Sequence, residues 1–446
     1  MASSSDPQLA NRILRGLVYG LLAGIATLGI GQFAPDVLTF MQKVATQVFD
    51  PLGQVFLRLL FFVIIPLVFA SLASGVLQLG RPDKLGPLAG RTFLMFFLNM
   101  GIAVVLGLLV MNIVQPGRFI DPATKDAIMA NYSGAAAKHV ANQQQAQAGF
   151  TLMSVVEMFM PRNLFGAFVG NSRNAIGDVL PLILFAILVG AVGTSFAEAR
   201  RKQLLGALET VNDLMTGIVH LALRLAPYAV PAMIYSVVVR LGIDIVIALA
   251  VFVVSCIAVM AVHLFGTMSL WLKVWTRWTP RAYFAAIKDV LVTAFSTSSS
   301  AATLPAALEN AVDKLKLTPS TAGFVLPLGT TMNMAGTALF EGCVVLFVAQ
   351  VYGQHLGMGE QLLLVLLSVL SAVAVAAIPG GSLPLIAGLL VTFGIPAEGI
   401  GIILGVDRIL DMCRTATNVG CDVTTALVVD EMVKKAEAKA GGSGAT

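Results

Sequence analysis

Five polar residues recur at short intervals in an apolar segment near the C-terminal end of this sequence: Asp407, Asp411, Arg414, Asn418 and Asp422. The intervals of four, three, four and four residues place all five on one face of a single helix. A carboxylate three residues before a guanidinium on such a face is suited to bind the ammonium and carboxylate groups of one small zwitterion. Asp411 and Arg414 therefore indicate a site for an amino acid with an acidic side chain. The alternative is a buried structural ion pair between these two residues.

The other members of this polar stripe suit a cation. The Asp422 carboxylate, together with the side chains of Asn333 and Asn418, offers hard oxygen ligands of the kind that sodium takes. An isolated Asn in a membrane helix also serves as a polar contact between helices, and this alternative stays open. Asp407, which is next to Arg408, is expected to support the stripe structurally.

The composition indicates that the helix carrying this stripe lies in a membrane. Hydrophobic residues make up 57% of the 446 residues and charged residues only 12%, and the mean hydropathy is +0.87. Apolar runs of membrane-spanning length recur at 16–33, 93–114, 179–195, 214–239 and 245–270. These runs predict a polytopic helical bundle, since a barrel would alternate with a period of two. Ionisable groups are costly in lipid, so the stripe should face a cavity on a substrate or ion path.

Basic residues cluster at 12–15, 81–91, 200–202 and 273–281, which are alternate connections between the apolar runs. The positive-inside rule places these clusters, and with them both termini, in the cytoplasm, in an inner or plasma membrane. The net charge of +4 therefore gives no indication of a nucleic-acid partner. The four cysteines lie in apolar segments without a metal-binding spacing and are expected to be small buried side chains.

The apolar pattern becomes irregular after about residue 283. Serine, threonine, glycine and proline interrupt the uncharged segments 290–308 and 323–340. Segment 361–397 is uncharged for 37 residues, and as one helix it would be about 55 Å long, more than a bilayer is thick. It forms either two spans joined by residues 378–382 or a re-entrant hairpin, and the uncharged tip favours the hairpin. Paired interruptions of this kind indicate an inverted-repeat transporter with its site near the membrane midplane.

Four motifs resemble those of the glutamate transporter homologue family, the dicarboxylate/amino acid:cation symporters. They are Ser298-Ser299-Ser300 with Thr303-Leu304-Pro305, residues 333–337 (NMAGT), residues 378–382 (IPGGS), and residues 407–422 (DRILDMCRTATNVGCD). The resemblance covers nearly the whole chain. It implies an all-α polytopic membrane protein with eight transmembrane helices and two re-entrant hairpins, at about 285–317 and 361–394. It also implies inverted repeats, a homotrimer and an elevator movement of a transport domain against a scaffold.

The same resemblance divides the chain into five parts. Residues 1–114 would form scaffold helices 1 and 2 and transport helix 3, and residues 115–150 an extracellular loop. Residues 151–282 would form scaffold helices 4 and 5 and transport helix 6. Residues 283–432 would form the transport core, namely hairpin 1, helix 7, hairpin 2 and helix 8, and residues 433–446 a flexible tail.

The resemblance also implies a substrate site. Arg414 would bind the side-chain carboxylate with help from Thr337, and Asp411 would bind the amino group. Asn418 and Ser300 would take the main-chain carboxylate, and the hairpin-2 tip would close over it. The full set of substrate-binding residues would be Ser299, Ser300, Thr337, Ile378, Gly380, Gly381, Asp411, Arg414, Thr415 and Asn418.

One or two sodium ions are implied as coupling ions, and no organic cofactor. The first would bind at Gly329, Asn333, Asn418 and Asp422. The second would use backbone oxygens near Thr331, Met334 and the turn that contains Ala372, Val373 and Val375. It would form only when hairpin 2 closes, which couples ion binding to closure.

A third sodium site of the family is expected to be absent or altered. Ala335 stands where the family usually has Asp, and Phe96, Asn99 and Met100 stand where it has tyrosine and hydroxyl residues. Glu341 matches the glutamate that eukaryotic relatives use for proton co-transport, and a carboxyl group in apolar surroundings is disposed to bind a proton. A proton is therefore a candidate coupling ion, and a purely structural Glu341 is the alternative.

Two further features bear on substrates and counter-ions. The second arginine that relatives keep is missing, because its two possible positions are Ser298 and Met412, and this argues against potassium counter-transport. Having both Arg414 and Asp411 favours aspartate or glutamate. Residues 380–383 (GGSL) and Ala335 resemble bacterial serine/threonine symporters, so those substrates and C4-dicarboxylates stay open.

Two other classes of membrane protein are alternatives to a transporter. An intramembrane hydrolase using Ser298 to Ser300 would need a His or Lys base, and the four histidines lie outside the interrupted segments. We therefore expect no enzyme. An anion channel is a nearer alternative, but paired hairpins over a zwitterion site favour a gated carrier of small molecules in the lipid bilayer.

Overall fold

The fold of this protein is a bundle of helices of very different lengths. The computed structural model describes residues 7–78, 86–121, 160–169, 179–375 and 381–442. Most of the expected loop 115–150, residues 378–380 of the expected hairpin-2 tip and the last four residues lie outside these ranges. Within them every regular element is a helix, which agrees with the all-α fold class.

The described residues of the N-terminal half form helices of 6 to 29 residues. Their bounds are α1 (Pro7–Phe33), α2 (Pro35–Val44), α3 (Asp50–Phe62), α4 (Ile64–Gln78), α5 (Gly86–Val114), α6 (Leu164–Val169), α7 (Val179–Thr194), α8 (Glu198–Leu223), α9 (Ala226–Leu241) and α10 (Asp244–Ala261). One turn of π-helix, Val262–Thr267, joins α10 to α11 (Met268–Trp275).

The C-terminal half is made of shorter helices and one very long one. Their bounds are α12 (Pro280–Ala286), α13 (Lys288–Thr297), α14 (Ser300–Asp313), α15 (Pro319–Met332), α16 (Ala335–Val351), α17 (Met358–Ala374), α18 (Leu383–Thr392) and α19 (Ile400–Gly442). The helix pairs α13/α14 and α17/α18 lie where the two hairpins are expected. The helix α19 continues through most of the expected flexible tail, because Lys434 pairs with Asp430 at 2.6 Å and Lys435 donates to the Trp275 carbonyl at 2.9 Å.

Five helical segments of the described part are long and apolar enough to cross a membrane: Arg15–Phe33, Pro35–Leu77, Leu88–Phe119, Asp244–Trp275 and Pro319–Val351. A sixth candidate is the pair α8 and α9, which is bent by 58° at its junction. The fifth segment is interrupted, because it consists of α15 and α16 with a break at Asn333 and Met334.

The helices form two groups. The outer group contains α1 to α4 and α7 to α9, in which α1 packs along α9, and α4 packs on α7 and α8. The inner group contains α5 and α10 to α19, in which α5 packs along α16, and α19 contacts α10, α13, α15 and α16. The helix α16 is the centre of the inner group. All of its residues except Gln350 are buried, as expected for a helix that is apolar on every side.

Candidate functional site

A small cavity lies where the polar stripe on α19 meets the breaks between the shorter helices. Its lining residues are Ser298, Ser300, Met334, Thr337, Val375, Ser382, Asp411, Arg414, Thr415 and Asn418. Each break contributes: the α13/α14 turn, the α15/α16 break, the end of α17 and the start of α18. Three of the five stripe residues, Asp411, Arg414 and Asn418, therefore face a polar cavity, as the cost of ionisable groups in lipid leads one to expect.

Arg414 is the centre of the charged part of the cavity and is only 3% exposed. Its Nη2 donates a hydrogen bond to Asp411 Oδ1, and its Nη1 lies 3.8 Å from Asp407 Oδ1. The Phe340 ring lies against the guanidinium, with 4.7 Å between Cζ and the ring centroid. Arg414 Nη1 has no hydrogen-bond partner among the described residues. This guanidinium is therefore held in place by its neighbours while keeping a donor available for a further acceptor.

The α13/α14 turn brings serine side chains to the same cavity. Ser298 has a left-handed backbone conformation with φ 50° and ψ 32°, which is uncommon for a residue other than glycine and is often found at functional sites. Within the described chain, the hydroxyl oxygens of Ser298 and Ser382 have no hydrogen-bond partner. Ser299 instead caps α14, because its Oγ accepts a hydrogen bond from Ala302 N at 3.2 Å.

Asn418 joins the stripe to the start of α16. Its Oδ1 accepts hydrogen bonds from the backbone N–H groups of Gly336 at 2.7 Å and Thr337 at 3.2 Å. Its Nδ2 donates to Thr337 Oγ1 at 3.1 Å. Asn418 thus satisfies N–H groups that the first turn of α16 leaves unpaired. Asn418 and Thr337, which the resemblance assigns to different carboxylates of a substrate, are in direct contact here.

Asp422 lies four residues further along the stripe, beside the end of α15. Its Oδ1 accepts a hydrogen bond from Asn333 Nδ2 at 2.9 Å. A Cβ atom built on Gly329 would lie only 2.6 Å from the same oxygen, so the carboxylate can approach because residue 329 is a glycine. A buried carboxylate is thus brought against the backbone of α15, as expected for the first cation site.

Two buried residues extend this arrangement away from the cavity. Asn99 Nδ2 donates to Asn333 Oδ1 at 2.9 Å, and Asn99 Oδ1 lies 3.0 Å from His263 Nε2. None of the four histidines lies in an interrupted segment, so the sequence did not indicate that any of them belongs to the site. The one available signal was a histidine inside the uncharged run 245–270, which is an expensive place for an ionisable group.

Glu341 lies on α16 and is completely buried. Neither of its carboxyl oxygens has a hydrogen-bond partner in the part of the chain that the structure describes. Ser371 of α17 and Arg414 are the polar groups near its carboxyl. Glu341 is therefore a buried carboxyl group close to the charged part of the cavity.

The remaining predicted site residues are distributed around this centre. Met334 and Val375 line the cavity, and Ala372 and Val373 are buried near the end of α17. Thr331 is exposed, and its hydroxyl donates to the Leu328 carbonyl. Gly381 is buried beside Ser382, whereas Ile378 and Gly380 lie outside the described residues. Ser298 and Ser382 also line the cavity, and neither was among the predicted substrate-binding residues.

A many-span helical chain with a buried, charged cavity at helix breaks is the arrangement typical of a membrane transport protein. Comparison with known proteins agrees. The chain is 32% identical over 426 residues to the proton/sodium-glutamate symport protein of Bacillus subtilis (strain 168), covering 95% of this chain and 92% of the relative. It is 29% identical over 441 residues to the proton/glutamate-aspartate symporter of Escherichia coli (strain K12), covering 97% and 94%. It is 32% identical over 413 residues to the C4-dicarboxylate transport protein of Agrobacterium fabrum, covering 92% and 86%.

Residues 9–432 match the sodium:dicarboxylate symporter family, and the chain belongs to that family. The resemblance noted in the sequence is thereby confirmed at the level of the family. The protein is a multi-pass membrane symporter of the glutamate and dicarboxylate class.

Proposed function

We propose that this protein is a secondary active symporter of an acidic amino acid, aspartate or glutamate, coupled to sodium. The observation that carries the proposal is the unpartnered Nη1 of Arg414 in a cavity that also contains the Asp411 carboxylate. The Asp407 carboxylate is 3.8 Å from this nitrogen, beyond hydrogen-bond distance, and a substrate carboxylate would supply a closer acceptor. The substrate ammonium would then contact Asp411.

Both ends of such a substrate have partners at the cavity. The Arg414 guanidinium, with Thr337, would bind the side-chain carboxylate, and the unpartnered hydroxyls of Ser298 and Ser382 would add donors for the main-chain carboxylate. Ser300 and Thr415 complete the lining. Because Asn418 already pairs with Thr337, we propose that Asn418 acts by holding the start of α16 as well as by facing the substrate.

Sodium suits the oxygen groups around Asp422. Within the described residues no group of three or more His, Cys, Asp or Glu side chains could hold a metal ion, so a cation here depends on one carboxylate and on carbonyl oxygens. The Asp422 carboxylate beside Gly329 and Asn333 provides this combination, with Asn418 on the same face of α19. A second sodium would use backbone oxygens near Thr331, Met334 and the end of α17. Of these residues, Met334 and Val375 line the substrate cavity, which links that ion to substrate closure.

The third sodium site is replaced by an internal hydrogen bond in this proposal. Asn333 Oδ1 accepts from the Asn99 amide, so an N–H group of the chain takes the place of a cation. Ala335 has no side-chain oxygen with which to bind a cation. Glu341, buried without a hydrogen-bond partner in the described chain, is the proposed carrier of a co-transported proton.

The two helix groups supply the proposed movement. The inner group would be the transport domain, with α13/α14 and α17/α18 as re-entrant hairpins, and the outer group would be the trimeric scaffold. An elevator step would carry the closed cavity across the membrane as the inner group moves along the outer one.

Uptake by the purified protein in proteoliposomes tests the proposed function. Labelled aspartate, serine and succinate are offered separately, with a sodium gradient, a proton gradient, both or neither. We expect concentrative aspartate uptake driven by sodium and increased by the proton gradient, with slower uptake of serine and succinate. Aspartate uptake that ignores both gradients contradicts symport. Preferred uptake of succinate would instead establish a C4-dicarboxylate symporter, and current without substrate movement would establish a channel.

A further inference from the structure

A chain of four buried polar side chains leads from the π-helical turn after α10 to the polar stripe. His263 contacts Asn99 at 3.0 Å, Asn99 contacts Asn333 at 2.9 Å, and Asn333 contacts Asp422 at 2.9 Å. The first three residues are fully buried and Asp422 is 3% exposed. Buried polar networks are costly unless each member is satisfied, so this chain of contacts requires an explanation.

The carboxylate at one end fixes the direction of every hydrogen bond. An ionised Asp422 only accepts, so Asn333 must present its Nδ2 to Asp422 and its Oδ1 to Asn99. Asn99 must then donate from Nδ2 and present its Oδ1 to His263. The imidazole therefore carries its hydrogen on Nε2. All three donors point toward Asp422.

The local backbone directs His263 into this network. His263 lies in the π-helical turn Val262–Thr267, and such turns are uncommon and often found at functional sites. Gly420 of α19 approaches the same turn closely, because a Cβ built on it would lie 2.5 Å from Leu264 Cδ1. The other ring nitrogen of His263, Nδ1, has no partner among the residues that the structure describes. Within the described chain, the hydrogen-bond contact of His263 is therefore the one to Asn99.

We propose that His263 and Asn99 are positioning residues that set the sodium affinity of the site at Asp422, acting through Asn333. The proposal rests on the proposed function, in which Asp422 is a sodium ligand. With the chain of donors intact, the Asn333 side chain is fixed and its amide faces one carboxylate oxygen. Without the donor on His263, Asn99 is released, Asn333 gains rotational freedom, and the carboxylate loses its fixed orientation. Ligand positions held by such outer partners raise the affinity of a site for its ion.

Two substitutions of His263 separate its hydrogen bond from its volume. His263→Leu removes the donor and keeps an apolar side chain, whereas His263→Gln places an amide N–H near the former Nε2. We expect His263→Leu to raise the sodium concentration for half-maximal aspartate uptake by about tenfold. The KM for aspartate at saturating sodium should stay within about twofold. His263→Gln should retain sodium dependence within about twofold of the wild type. The exposed His355 provides the matched control, and His355→Leu should change neither quantity.

A binding measurement supports the experiment if a variant transports poorly. The Tm of the purified variant is followed against sodium concentration, since an ion that binds the folded state stabilises it. If His263→Leu does not fold, His263→Asn replaces it, because its shorter amide leaves Asn99 Oδ1 without a donor. For His263→Asn we expect the same shift of the half-maximal effect to higher sodium concentration, in uptake and in the rise of Tm.

Two outcomes distinguish this proposal from the one on which it rests. If His263→Leu or His263→Asn shows wild-type sodium dependence while Asp422→Asn loses it, the sodium site is correct and the positioning role is wrong. If Asp422→Asn also keeps wild-type sodium dependence, the sodium site itself is wrongly placed and the proposed function must be revised. An equal loss of sodium affinity in His263→Gln and His263→Leu would contradict the role of the hydrogen bond.

Discussion

At the scale of single residues, one guanidinium nitrogen of Arg414 has no acceptor within hydrogen-bond distance among the described residues, since Asp407 Oδ1 lies 3.8 Å from Nη1. Nη2 donates to Asp411, the Phe340 ring covers one face, and Nη1 has no partner in the described chain. A purely structural pair of Asp411 and Arg414 would be expected to satisfy both nitrogens, because an unpaired buried donor costs free energy. The unsatisfied nitrogen is what favours a substrate carboxylate over the structural alternative.

Replacing Arg414 tests this assignment. Arg414→Cys should lower kcat/KM for aspartate by about 100-fold, because charge-assisted hydrogen bonds to the substrate carboxylate are lost. Uptake of serine, which lacks that carboxylate, should fall much less, so the preference for acidic substrates disappears. The measurement is uptake of both substrates by each variant in proteoliposomes. Arg408→Cys is the control, since Arg408 is 3.7 Å from Asp411 but does not line the cavity. An unchanged ratio of aspartate to serine uptake in Arg414→Cys would show that the arginine has another role.

Glu341 gives a second prediction at this scale. Glu341→Gln keeps the size of the side chain and removes its capacity to bind and release a proton. We expect sodium-driven aspartate uptake to persist, with the stimulation by an imposed proton gradient reduced to a small fraction. Glu398→Gln, at an exposed glutamate, should retain the full stimulation. If Glu341→Gln keeps its dependence on the proton gradient, Glu341 is only a structural residue.

At the scale of elements, interruptions of helices create the site. The α15/α16 break leaves the first N–H groups of α16 for Asn418, and the left-handed Ser298 turns α13 into α14 at the cavity. Helix ends of this kind present oriented N–H and C=O groups that an unbroken helix keeps for itself. The serine, glycine and proline residues that interrupt the apolar runs therefore have a direct chemical use.

The approach of α15 to α19 depends on one glycine. Gly329→Ala would place a methyl group 2.6 Å from Asp422 Oδ1, so either the helix or the carboxylate must shift. We expect the sodium concentration for half-maximal uptake to rise by about tenfold or more, because the ligand geometry is lost. Gly323→Ala is the matched control on the same helix, since nothing lies within 4 Å of its Cβ position. The two variants are compared by sodium titration of aspartate uptake. The same half-maximal sodium concentration in both variants would show that the close approach of α15 to Asp422 is not required for ion binding.

At the scale of the whole molecule, the two helix groups meet at the N-terminal part of α19. Gly401 and Gly405 lie there, close to Met233 and Ile234 of α9 and Leu17 of α1. Small residues at this surface leave few obstacles to sliding, and bulky neighbours on the outer group reach into the space. The cavity with Arg414 lies entirely in the inner group, so it would move as a unit.

A bulky residue at this surface should separate binding from transport. A Cβ on Gly405 would already lie 2.6 Å from Ile234 Cδ1 and from Leu17 Cδ1, so Gly405→Phe should obstruct movement of the inner group. We expect aspartate uptake to fall at least about tenfold, with sodium-dependent aspartate binding to the purified protein within about threefold of the wild type. Gly359→Phe, at an exposed position with open space, is the control. Normal uptake by Gly405→Phe would argue against relative movement of the two groups along this surface.

The sequence by itself determined the family, the all-helical membrane fold class and the residues of the polar stripe. It could do so because helical spacing is local and because charges in apolar runs stand out against their cost in lipid. Most predicted cavity residues, among them Ser300, Thr337, Asp411 and Arg414, do line one cavity. Only the tertiary structure decided that Asn418 pairs with the start of α16 and that His263 is linked to Asp422. Those contacts join residues 81 or more positions apart. No local pattern records them, because they depend on how separate helices pack together.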